Sequence, residues 1–210
     1  IVTVTNEGNA ELTVTPPKTH IATVGIEKIV PSMEHATVLL RLLSRAAIGA
    51  EITQYTTFYN GPKRKGDADG PENMHIVLVD NHRTEMLGEF LRPMLRCIRC
   101  GACMNHCPVY AAIGGHAYGS VYPGPMGSVL TPAMQDLNST KDLPNACTLN
   151  GRCKEVCPVN IPLTDMLRSL RARQFERDLT PPMTRYALVG WSWLAQRPKL
   201  YHLATSLAMF

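Results

Sequence analysis

The chain has 210 residues, 45% of them hydrophobic and 18% charged, with a formal net charge of +4. Such a composition supports one or two hydrophobic cores and excludes a disordered or highly charged chain. No uninterrupted run reaches the ~20 apolar residues that a membrane-spanning helix needs.

In chain order, the first segment predicts a strand, because Ile1, Val2 and Val4 are β-branched and Thr5-Asn6-Glu7-Gly8-Asn9 signals a turn. The chain starts at Ile1 with no initiator methionine, as if already inside a domain, so it is expected to be a piece of a longer protein. Residues 20–24 predict a buried strand. Ser32 is a candidate cap for a helix reaching about Gly49, with Val38, Leu39, Leu42, Leu43 and Ala46 on one face. Residues 55–59 are a further strand candidate, and residues 61–73, with Lys63-Arg64-Lys65, a loop. Residues 76–79 predict a short buried strand, followed by Asn81 as a helix cap. This rhythm of strand and helix argues for an α/β layer fold over residues 1–90.

Beyond residue 90 the strand signals stop. Short helices are expected around a set of cysteines, joined by a glycine- and proline-rich loop over residues 114–132. That loop either packs over whatever the cysteines hold, or over a partner, or simply shields the centre from solvent. From Leu163 to about Arg177 an amphipathic helix is predicted, with Met166, Leu167 and Leu170 inward and arginines mostly outward. A second unit is therefore expected over residues 91–180. Residues 181–210 form an apolar tail containing Trp191 and Trp193, interrupted at Gln196-Arg197-Pro198-Lys199. Ordinary packing on the domain is the expectation for it, with docking to a partner subunit or membrane interface as the alternative.

All seven cysteines lie in two runs, Cys97-x2-Cys100-x2-Cys103-x3-Cys107-Pro108 and Cys147-x5-Cys153-x3-Cys157-Pro158. An odd number in an otherwise ordinary globular chain argues against a disulfide framework. Structural zinc prefers two separated C-x2-C pairs, which a three-step run ending in Cys-Pro does not resemble. The first run has the spacing of a bacterial-ferredoxin cluster site, where cysteines three apart on an amide-rich turn converge on one cluster. The second run has the same frame, with Asn150 where the step of three would place a cysteine. Three thiolates suit a 3Fe-4S cluster; a 4Fe-4S cluster with water, substrate or the asparagine oxygen on its unique iron, or a crippled site, are the alternatives.

The pattern resembles two-cluster ferredoxins, in which the last cysteine of each run ligates the other cluster. That resemblance implies Cys97, Cys100, Cys103 and Cys157 on cluster one, a 4Fe-4S cluster. Cys107, Cys147 and Cys153 would hold cluster two, with Asn150 at its open corner. The seven-cysteine pattern is also similar to the C-terminal domain of succinate dehydrogenase and fumarate reductase iron–sulfur subunits, which pair a four-iron with a three-iron site. The flanking residues resemble another family, the lactate utilization protein B iron–sulfur subunits of a three-component L-lactate utilisation system. The segments that carry this run over most of the chain. They are residues 5–9 and 20–28, Met74-His75-Ile76-Val77-Leu78-Val79-Asp80-Asn81, Tyr122-Pro123-Gly124-Pro125-Met126-Gly127 and Val159-Asn160-Ile161-Pro162-Leu163. Asn150 departs from that family's pattern.

The resemblance implies the C-terminal part of a LUD domain, an α/β fold similar to coenzyme A transferases, followed by an α-helical ferredoxin domain. It implies an electron-transfer subunit that relays electrons from L-lactate oxidation to pyruvate. The implied partners are other subunits and an acceptor such as quinone, and the implied location is the cytoplasm, at most peripheral to the inner face of the membrane. An iron–sulfur subunit of a glycolate- or succinate-oxidising complex is a variant of the same class. The alternative class is an α/β ligand-binding or transferase-type enzyme whose clusters are structural or redox-sensing.

Charge and catalytic motifs add less. Residues 141–210 carry ten Lys/Arg against five Asp/Glu, which could steer an acidic redox partner, face anionic lipid, or form a plain solvated surface. No nucleic-acid motif or aromatic platform accompanies the arginines. The histidines at 20, 35, 75, 82, 106, 116 and 202 form no catalytic pairing. Catalytic residues are therefore unknown from sequence. His106 could touch a cluster, and Glu7 and Glu27, at turns of the α/β half, could face a substrate.

Overall fold

A computed structural model describes residues 1–5 and 8–208, so the turn at Asn6 and Glu7 and the terminal Phe210 lie outside the described residues. The first part builds two small sheets. Strand β1 (Val2–Thr5) pairs antiparallel with β3 (Tyr55–Phe58), and β2 (Thr19–Gly25) pairs parallel with β4 (Asn73–Val79). Two parallel strands need a crossover, and helix α2 (Met33–Ile48) lies within it; a short helix α1 (Asn9–Val14) joins β1 to β2.

The strands are where the sequence places them, but they are not buried. Ile21 is 60% exposed on β2 and Ile76 56% exposed on β4. Their apolar content shows what a parallel pair requires on both faces, not whether a layer lies over it. On α2, Val38 faces solvent, while Leu39, Leu40 and Leu43 line a cleft with Leu95, Ile98 and Val159 of the second part. Ser32 occupies the cap position, but its hydroxyl bonds His35 Nδ1 at 2.8 Å rather than a backbone amide. The helix cap expected at Asn81 is not found: Asn81 takes φ 42° inside a turn in which Asp80 accepts from the Thr84 amide at 2.8 Å and from its hydroxyl at 2.9 Å, and the 3-10 turn Glu85–Gly88 that follows starts from Thr84 with no side-chain cap.

The second part is helical and holds the main core. Helices α3 (Ala102–Asn105), α4 (Pro108–Ile113), α6 (Asp142–Asn145) and α7 (Arg152–Glu155) are one or two turns long. They rest on α5 (Gly124–Met134) and α8 (Leu163–Glu176). Helix α8 follows its amphipathic pattern, with Met166, Leu167 and Leu170 buried; burying each such side chain is worth roughly 1.5–3 kcal/mol.

The expected loop over residues 114–132 is corrected by α5, the most buried helix of the protein's second part. Residues 124–132 are all buried, with Val129 inaccessible to solvent. Glycine and proline suggested breaks, yet Pro125 stands in the first turn, where a missing N–H costs nothing. Gly127 is required by packing, because a methyl there would overlap the Tyr122 carbonyl.

The tail forms α9 (Pro182–Ala195) and α10 (Pro198–Ala208), which pack on one another. No residue of α9 is buried, and Tyr186, Trp191 and Trp193 are exposed; the tail meets the domain at the end of α8, where Arg185 donates to the Phe175 carbonyl and lies 4.5 Å over the Phe175 ring. Among the described residues no helix is long and apolar enough to cross a membrane.

Candidate metal centre

The two cysteine runs fold into near copies of one turn. Arg99 and Leu149 both take left-handed φ, 62° and 57°, as do Gly101 and Gly151, 79° and 87°. Such values favour glycine. In each copy the glycine carbonyl receives two amides: Met104 and Asn105 at 2.9 and 3.4 Å, and Lys154 and Glu155 at 2.9 and 3.4 Å. The short helices α3 and α7 that follow carry Cys103 and Cys153 and pack against each other.

This packing interleaves the two runs. One cavity is lined by Cys97, Cys100 and Cys103 of the first run together with Cys157 of the second. Met104, Met126, Ile161 and Leu163 form its apolar wall. Burial, then the neighbouring Cys97 sulfur, pushes the Cys103 thiol up to about 12. Burial, then the Cys147 and Cys107 sulfurs, push the Cys153 thiol up to about 11. Amides point at the sulfurs, from Tyr110 to Cys107 at 3.4 Å, Leu149 to Cys147 at 3.3 Å and Ile161 to Cys157 at 3.4 Å. All seven cysteines are free of disulfides.

These features fit iron–sulfur clusters. N–H groups aimed at sulfur stabilise thiolate and cluster charge, and the dry wall keeps solvent from the centre. Among the described residues no three His, Cys, Asp or Glu are arranged around a single metal ion. A cubane asks for a wider arrangement, since each thiolate binds a different iron.

Asn150 is exposed, and its Oδ1 accepts from the Arg152 amide at 3.3 Å. At its counterpart Cys100, burial pushes the thiol up, opposed by the Ala102 amide beside the sulfur. The asparagine oxygen thus keeps the turn while being already engaged there. His106 is exposed at the end of α3.

Several neighbours were not legible as site residues. Buried Tyr118 stands beside Cys107; burial, then that sulfur, pushes its phenol up to about 12. Arg171 of α8 donates to the backbone oxygens of Pro144 and Cys147, at 2.9 and 2.6 Å, and so pins the second loop. The Arg99 guanidinium lies 4.1 Å over the Tyr122 ring, and Lys28 donates to the Cys97 carbonyl. Glu27, from the end of β2, meets Arg83 Nε at 2.6 Å, with Arg99 and Lys28 each at 3.9 Å. Only the Gly-Ile-Glu-Lys sequence after a strand hinted at this cluster.

The LUD domain family model matches residues 1–79, and the 4Fe-4S dicluster domain model matches residues 93–161. The two models thus match successive parts of the chain. Its fold is accordingly an α/β LUD segment followed by a helical, ferredoxin-like iron–sulfur domain. It is 47% identical, over 94% of its length, to "Uncharacterized electron transport protein YkgF" of Escherichia coli, covering 42% of that protein. It is 46% identical, over 99% of its length, to lactate utilization protein B of Shouchella clausii and of Geobacillus thermodenitrificans, covering 44% of each. The chain therefore spans less than half the length of these curated relatives. No solved structure matches it.

Proposed function

We propose that this chain is the cluster-bearing part of an iron–sulfur subunit that carries electrons released by oxidation of L-lactate to pyruvate. The observation that carries the reading is the cavity shared by Cys97, Cys100, Cys103 and Cys157, which brings together the set a two-cluster ferredoxin uses for one 4Fe-4S cluster. Cys107, Cys147 and Cys153 would hold the second cluster, a 3Fe-4S cluster, with Asn150 at the position where the second run lacks a cysteine. The clusters supply one-electron transfer when bound. The chain's own contribution is position, N–H donors to sulfur and exclusion of water.

The names of the relatives support lactate as the electron source. The reading includes partner subunits that hold the rest of the reaction, quinone as a candidate acceptor, and a cytoplasmic site of action, with at most peripheral membrane contact. We set the LUD segment at residues 1–90, the cluster domain at 91–180 and the apolar tail at 181–210.

The test is EPR spectroscopy with iron and sulfide quantification on anaerobically reconstituted protein. A nearly isotropic signal in the oxidised sample, with about seven irons per chain, is the expected result. About eight irons without that signal would replace the three-iron assignment with a second four-iron cluster, and about four would mean that the second site is dead. Failure of the clusters to accept electrons when lactate and the partner subunits are added would overturn the electron-transfer reading.

A further inference from the structure

We propose that Lys28 and Arg99 are positioning residues that set the reduction potential of cluster one, and that Lys28 makes this potential a property of the α/β segment as well as of the cluster domain. This rests on the ligand set proposed above for the identity of cluster one, and on the charges around the two loops for the rest.

Each cysteine run has a cation bonded to the carbonyl of its first cysteine. At the second run it is Arg171 of α8, which donates to the Cys147 carbonyl at 2.6 Å from within the same domain. At the first run it is Lys28, which reaches the Cys97 carbonyl from the turn after β2, 69 residues away in sequence. The two loops fold alike, but the other half of the chain completes the first one.

A second difference lies inside the turns. Arg99 and Leu149 hold the same place with nearly the same φ, 62° and 57°. Arg99 is the one charged residue among those lining the cavity of Cys97, Cys100, Cys103 and Cys157. Its counterpart in the second run carries no charge.

Lys28 and Arg99 are short of negative charge. Glu27 lies 3.9 Å from each of them, but its carboxylate is 2.6 Å from Arg83 Nε. Among the described residues neither cation has another carboxylate within ion-pair distance. Three cations thus share one carboxylate, an excess of two positive charges in side chains at most 32% exposed. By contrast, Arg152 and Lys154 of the second run are exposed and paired, with Glu155 at 2.8 Å and Asp165 at 2.7 Å. Charge withdrawn from water calls for a partner. A thiolate-bound, anionic cluster beside Cys97 is that partner.

The surroundings strengthen the effect. Lys28 and Cys97 line one cleft with Leu39, Leu43, Leu95 and Ile98, and a charge among apolar side chains is screened less than in water. Positive charge there favours the more negative, reduced cluster and so raises its potential.

The test is a redox titration with chemical mediators on the reconstituted protein, read by EPR at both clusters, with iron quantified on the same samples. Lys28→Met should make reduction of cluster one about tenfold less favourable, a fall of ~59 mV for one electron, with cluster two unmoved. Arg99→Leu, a side chain that the second turn already accepts at Leu149, should lower the same potential comparably. Lys28→Arg, which keeps charge and donor, should stay near the parent value. The inference is overturned if Lys28→Met and Arg99→Leu keep their iron and leave cluster one at the parent potential, if both clusters shift together, or if Lys28→Arg falls as far as Lys28→Met. Should Lys28→Met lose iron, an unshifted Arg99→Leu overturns it. Mediators reduce the clusters directly, so a failure of lactate to reduce them would count against the electron-transfer reading alone.

Discussion

The loops 97–108 and 147–158 share their backbone turns and hydrogen bonds, but only one of them carries a cysteine at its second position. The comparison separates two roles that a cluster cysteine performs at once. Cys100 has the Ala102 amide beside its sulfur, and the Asn150 oxygen accepts from the Arg152 amide at 3.3 Å. The turn needs an acceptor and a left-handed glycine; only the cluster needs a thiolate. Replacing sulfur by an amide oxygen can thus remove a ligand while leaving the loop folded.

The largest expected effect comes from crossing the two loops. Cys157→Ser, in the second run, should abolish cluster one and leave the isotropic signal of cluster two, with iron falling from about seven to about three per chain. Loss of the isotropic signal instead would mean that each run serves its own cluster. Next, Asn150→Cys should restore the symmetry, raising iron to about eight and erasing the isotropic signal. Because the turn already has the required shape, thermal stability of the metal-free chain should hardly move; a large drop would show that the two turns are not equivalent.

A third change strikes what the loops have in common. Leu167→Ala empties a site in the core against which cysteines of both runs pack, and should cost about 2–5 kcal/mol in denaturant unfolding. The proportions of the two EPR signals should stay equal, and selective loss of one would place Leu167 under that loop alone. The smallest effect is electronic. Tyr118→Phe removes a hydroxyl beside Cys107 and should lower the potential of cluster two, while cluster one keeps its own in a redox titration. Equal shifts would show that Tyr118 acts through the fold.

Local signals carried much of this structure, and tertiary ones did not. The strands around Ile21 and Ile76 and the helix bearing Leu167 were legible because pattern and period are properties of neighbours in sequence. The cysteines were legible because a cluster imposes spacing on a short turn. The helix at Val129 was not, since Gly127 and Pro132 signal breaks unless one knows that a carbonyl approaches one and that the other lies in a packed interior. Asn81 reads as a helix cap on paper, but it lies in a turn that Asp80 closes onto Thr84. Glu27, Arg83 and Arg99 lie far apart in sequence, so their meeting belongs to the fold alone.

The shared cavity also bears on how the protein is made and lost. A centre that draws on both loops behaves as a rivet between segments some fifty residues apart, and helices of four to six residues such as α3, α4, α6 and α7 do not persist on their own in water. On the proposed ligand set, iron binding ties the two loops to one another, so that loss of cluster one loosens both while the helical core beneath them stays packed.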